Sequence, residues 1–89
     1  MRAENASSIV DGNVLAGLLG GIFEGDATTL IGVCGGCGAR GALAETVVEI
    51  DDVAAIVRCR SCSHTLLTVL HDDDDVRLVV GTLRELRRS

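Results

Sequence analysis

The sequence predicts a small, mainly β domain of two antiparallel hairpins around a metal site, with one N-terminal α-helix. Three observations predict it. Two Cys-x-x-Cys pairs, Cys34/Cys37 and Cys59/Cys62, lie 21 residues apart. Between and after them run short β-branched stretches separated by aspartate turns. Before them, apolar residues recur at helical spacing.

The helix is expected over 11–24. Asp11 is a suitable N-cap, and Val14, Leu15, Leu18, Leu19 and Ile22 form one apolar stripe. Gly17, Gly20 and Gly21 each weaken a helix by about 0.5–1 kcal/mol relative to Ala. The helix should therefore depend on docking. Its small-residue spacings would permit a close backbone approach, although that device works mainly in membranes. Residues 1–9 are small and polar and are expected to fray.

The β region is expected over 28–80. Thr28–Val33 reads as a strand leading to the first cysteine pair. Leu43–Ile50 and Val53–Arg58 read as strands joined at Asp51-Asp52. That turn sets Glu45 opposite Arg58 and Val47 opposite Ile56. Thr65–His71 and Val76–Val80 flank Asp72-Asp73-Asp74-Asp75, with Leu67, Val69 and His71 sharing a face with Val76, Leu78 and Val80. Residues 81–89, with Leu83 and Leu86 among arginines, are expected to form one helical turn. No linker or second domain interrupts the 89 residues.

A chain this short has a thin core and usually needs a staple. Phe23 is its only aromatic residue, so Leu, Ile, Val and Ala must fill the interior. Two-residue spacing lets a tight turn aim both thiolates at one point, and two such turns complete a tetrahedron of sulfur. Cys34, Cys37, Cys59 and Cys62 are therefore the predicted metal ligands. A closed site of this kind suits zinc, and iron as the alternative; with no open coordination position it serves structure. Redox-active dithiols would call for a βαβ setting absent here, and structural disulfides for an oxidising compartment.

Paired turns with a hairpin between them resemble a zinc ribbon, over residues 30–71. They resemble rubredoxin in part, without its second-turn proline or aromatic core. The longer pattern is Asp11-Gly12-Asn13, an apolar helix, the first turn, Leu43-Ala44-Glu45 and the second turn. It resembles a family of short actinobacterial proteins of unestablished function. Such proteins are encoded near molybdopterin- and flavin-dependent oxidoreductases. The resemblance thus implies a redox-enzyme partner or an electron-carrier role, and it names no activity.

Net charge is −5, and four thiolates around a divalent ion add two more negative charges. Together with the lack of stacking aromatics, this disfavours nucleic-acid binding. Arg40, Arg58 and Arg60 are expected near the metal, offsetting its charge or docking an acidic partner. His64 could serve as a ligand or hydrogen-bond to a thiolate, but an exposed histidine at a strand start is the favoured reading, since four cysteines already complete the shell. His71 beside the four aspartates is weaker still, since adjacent carboxylates do not converge without a specific loop.

The start Met1-Arg2-Ala3-Glu4-Asn5 lacks a secretory signal, and Val14 to Phe23 is too short to span a bilayer. The expectation is a cytoplasmic, non-enzymatic interaction module. A mean hydropathy of +0.38 for so short a chain suggests that some apolar surface meets a protein partner or a second copy. No catalytic constellation or phosphate loop is apparent.

Overall fold

A computed structural model describes residues 8–23, 25–71 and 75–88. The chain is mainly β, with two antiparallel sheets and one short α-helix. The larger sheet contains β1 (Ser8–Asp11), β4 (Val47–Ile50), β5 (Ala54–Arg58), β6 (Thr65–His71) and β7 (Val76–Val80), in the order β1-β4-β5-β6-β7. The smaller contains β2 (Ile31–Cys34), β3 (Arg40–Ala42) and β8 (Leu83–Arg87), in the order β3-β2-β8. Val48, Ala55, Val57, Leu67 and Val69 of the larger sheet are buried together with Leu15, Leu19 and Leu43. Among the described residues, no helix is long and apolar enough to cross a membrane.

The N-terminal segment departs from the expected helix. Of the span 11–24, only Leu15–Leu18 is α-helix (α1), preceded by a 3-10 turn at Gly12–Val14; Glu24 lies outside the described residues. Asp11 caps the 3-10 turn, its carboxylate accepting from the Asn13 N–H at 3.0 Å, and the α-helix has no side-chain cap. The glycines stop its growth: Gly17, Gly20 and Gly21 add backbone entropy without packing surface. Leu15 and Leu19 are fully buried and belong to the core, Val14 and Leu18 pack partly against it, and Ile22 at the end of the stripe is exposed. Gly17 and Gly21 face open space, so they serve no close approach.

Of the stretch expected to fray, residues 1–7 lie outside the described residues, whereas Ser8–Asp11 pairs antiparallel with β4. Ile9 and Val10 supply the β-branched side chains that suit an edge strand. Strand β2 starts three residues later than expected, because Asp26 turns Ala27–Thr29 into a 3-10 turn by accepting from the Thr28 N–H and hydroxyl. Leu43–Glu45 is likewise 3-10, and β4 begins at Val47.

The β4–β5 turn falls one residue later than expected. Asp51 N–H donates to Ala54 O at 2.9 Å, and the Asp51 carboxylate accepts from the N–H groups of Val53 and Ala54. Arg58 consequently lies opposite Val47, not Glu45, and its guanidinium reaches Glu49 diagonally at 3.0 Å. A register change of two preserves the faces, so Val48 and Val57 still point to the core. The β6–β7 hairpin has the expected bounds and register, with His71 opposite Val76 and Leu67 opposite Val80.

The tail is a strand, not a helical turn. β8 pairs with β2 and carries a bulge at Val33/Cys34, where Cys34 faces Leu83 but Val33 faces Glu85. The bulge absorbs Arg84 and lets Leu83 and Leu86 both pack on the core. Their i, i+3 spacing therefore imitates a helix.

Candidate metal centre

Each cysteine pair occupies the tip of a hairpin: Cys34/Cys37 between β2 and β3, Cys59/Cys62 between β5 and β6. The two tips share one backbone plan. In the first, Cys34 N–H donates to Ala39 O at 2.8 Å and Gly38 N–H to Cys34 O at 2.8 Å. In the second, Cys59 N–H donates to His64 O at 2.9 Å and Ser63 N–H to Cys59 O at 2.9 Å. Both turns close through a left-handed residue at the same place, Gly38 (φ 80°) and Ser63 (φ 68°). Glycine takes this conformation freely, whereas an L side chain is strained there by about 1–2 kcal/mol. Ser63→Gly should therefore raise stability by about 0.5–1 kcal/mol, read as a melting temperature higher by several degrees.

The turns meet. The Sγ atoms of Cys34, Cys37, Cys59 and Cys62 all lie within 4.8 Å of one another. Cys34 Sγ is 3.6 Å from Cys62 Sγ, and Cys37 Sγ is 3.7 Å from Cys59 Sγ. Sulfurs tetrahedrally placed about 2.3 Å from one ion stand about 3.8 Å apart, so the donor set fits a single ion. All four cysteines are free. Cys34 and Cys59 are buried, Cys62 is half-buried and Cys37 is exposed, so the centre lies at the surface with one edge uncovered.

The electrostatics agree with a cation-requiring site. Backbone N–H groups hold the Cys34 thiol down at about 6, that of Cys37 contributing most, against burial and with help from Gly36, whose N–H lies 3.3 Å from the sulfur. Cys62 goes the other way, up to about 12. The His64 N–H favours its thiolate, but burial and the neighbouring sulfurs of Cys34, Cys37 and Cys59 outweigh it. Thiolates this close cannot all ionise without a positive ion among them.

His64 is brought to the site. Its Nδ1 lies 3.0 Å from Cys62 Sγ, and its ring lies over Gly36 of the other turn, where an added Cβ would stand 3.0 Å from Nδ1. Gly36 thus leaves room for an imidazole that spans both turns, as a hydrogen-bonding partner to a ligand. Partners of this kind orient ligands and tune their basicity. His64→Ala should weaken metal affinity about 10–100-fold, measured by competition with a chromophoric chelator.

Of the three arginines expected near the metal, two stay beside it and one is engaged elsewhere. Arg58 is held by Glu49. Arg40 and Arg60 line a small cleft of about 100 Å³ behind Cys34 and Cys59, together with Glu45 and Thr46. Of the distal cluster, Asp72–Asp74 lie outside the described residues. His71 ends β6, and its Nε2 is buried without a partner among the described residues. Sequence reasoning missed β8, which seats Thr82 O on the Gly35 N–H at 2.7 Å and so braces the first turn. No local signal marks it, because Thr82-Leu83-Arg84-Glu85 carries the Thr-x-x-Glu pattern of a helix start.

Fold and site together define a small, mainly β domain that gathers four cysteines from two equivalent turns at one point. The chain belongs to a family of unknown function, DUF6510, which it matches over residues 4–89. No curated protein and no solved structure matches it.

Proposed function

We propose that this protein is a zinc-ribbon-like module in which Cys34, Cys37, Cys59 and Cys62 hold one structural Zn²⁺, acting as a non-enzymatic protein-interaction domain in the cytoplasm. The observation that carries the reading is the convergence of the four sulfurs, at 3.6 and 3.7 Å between turns of identical backbone plan. Those contacts run between the motifs, which favours shared coordination over two separate dithiols. When bound, the ion supplies cross-linking and charge compensation. The chain's own residues supply the rest: Gly36 N–H donates toward Cys34, and His64 spans the turns.

An interaction role draws support from the surface. Val79 and Val80 on the edge strand β7 are 52% and 65% exposed, and Ile9 on the opposite edge β1 is 72% exposed. Apolar residues on open edges suit a protein partner, such as a redox enzyme, or a second copy. Nucleic acid is disfavoured by the net charge of −5.

One observation favours a second reading. Cys37 is exposed, and a one-electron iron carrier similar to rubredoxin needs such an uncovered edge. Metal analysis with a visible spectrum, on protein from its native cells, separates the two. One zinc per chain and no colour supports the structural module. One iron per chain with thiolate-to-iron absorption supports the carrier. Stoichiometric absence of both metals sinks both readings.

A further inference from the structure

The solvent face of the smaller sheet carries a second feature, independent of the metal. Ile31 lies opposite Ala42 on one side and Arg87 on the other, and Val33 lies opposite Arg40 and Glu85. Residues opposite one another in antiparallel strands share a face, as do i and i+2. Arg40 and Arg87 therefore stand on the same face, on strands flanking Ile31. The opposite face, with Gly32 and Cys34, is buried against the core.

A groove of about 330 Å³ opens there, lined by Ile31, Arg40, Gly41, Arg87 and Arg88. Its charges are poorly compensated. Arg40 and Arg88 make no ion pair among the described residues. Arg87 has only a long contact to Glu85 at 3.7 Å, between half-exposed side chains. Three arginines thus line a groove whose one large apolar side chain is Ile31, in a chain whose net charge is −5. Guanidinium forks bind oxyanions in pairs of parallel hydrogen bonds, and a phosphoryl dianion matches several forks better than a monovalent carboxylate.

We propose that this groove binds the phosphoryl group of a small organic phosphomonoester, with Arg40, Arg87 and Arg88 on the oxyanion and Ile31 against the organic part. Binding draws Arg87 away from Glu85 and needs no change at the cysteines.

The test is a titration of the metal-loaded, isotope-labelled full chain, followed by amide chemical shifts at constant ionic strength. Inorganic phosphate and propyl phosphate are the probes. Saturable shifts are expected at Ile31, Gly41, Arg87 and Arg88, tighter for propyl phosphate. R40A/R87A should weaken binding about tenfold or more while metal content and the remaining spectrum are kept. Shifts that never saturate, or that persist unchanged in R40A/R87A, overturn the site. Equal affinity for the two probes overturns its assignment to an organic ligand.

Discussion

Stripping the metal, or replacing one ligand as in Cys34→Ser, should unfold the domain. The four sulfurs come from two turns separated by 21 residues, and a second sheet is tied to the first turn. Structural zinc in small thiolate sites contributes apparent binding free energies of about 10–16 kcal/mol near neutral pH, while small domains have total stabilities of about 5–15 kcal/mol. Losing the ion therefore removes an amount comparable to the whole. In its absence the buried sulfurs of Cys34 and Cys59 have no ion to hold the two turns together. Amide chemical-shift dispersion under reducing conditions, before and after chelation, reads the result directly. Collapse of the dispersion is expected, and its recovery on adding zinc.

Acid should do the same by a different route. The folded-state pKa of Cys34 is lowered from 9.0 to about 6, so its contribution is present above pH 9 and is lost as pH falls through 6. A bound ion competes further with protons. Metal release and unfolding should therefore coincide as pH falls. Parallel titrations of metal content and dispersion check this.

Gly12→Ala should be strongly destabilising. Gly12 is buried where the N-terminal 3-10 turn crosses Leu43–Glu45. A Cβ there would stand 1.7 Å from Leu43 O and 2.6 Å from Thr46 Oγ1. Neither neighbour can yield easily. Leu43 O is main chain and already accepts from Thr46 N–H at 3.1 Å and Thr46 Oγ1 at 2.7 Å. The N-terminal segment must lift off, which uncovers Leu15 and Leu19. Overpacking a core costs about 1–3 kcal/mol, and losing a buried leucine contact adds about 2–5 kcal/mol, so a total of about 3 kcal/mol or more is expected. Denaturant titration of the metal-loaded protein measures it. Gly17→Ala, which meets nothing within 4 Å, is the control and should be neutral or stabilising.

The contrast between these glycines shows what the sequence reveals and what it hides. Three glycines grouped on the helix draw the eye as a close-approach surface, yet two of them face open space. The glycines that do meet another backbone closely are Gly12, Gly35 and Gly81, and only tertiary geometry marks them out. Cysteine spacing, in contrast, is local chemistry: a tight turn leaves the sulfurs little freedom, and the four lie within 4.8 Å of one another. The β6–β7 hairpin was legible because its alternation is regular and its turn is strongly marked. The β4–β5 turn was off by one residue because Asp51 and Asp52 are equivalent in sequence, and the capping bonds of Asp51 decide between them. β8 was hidden because a bulge gave its leucines a helical interval. His64 was visible as a candidate from its distance to Cys62. Its seat over Gly36 depends on how the two turns face one another.

The most direct test of the metal centre is X-ray absorption at the metal edge of protein purified under reducing conditions, with stoichiometry measured on the same sample. One metal per chain with four sulfur neighbours at about 2.3 Å and no nitrogen or oxygen in the shell is the predicted result. A shell containing imidazole nitrogen or water oxygen, or a folded chain carrying well under one metal, would contradict the four-cysteine centre.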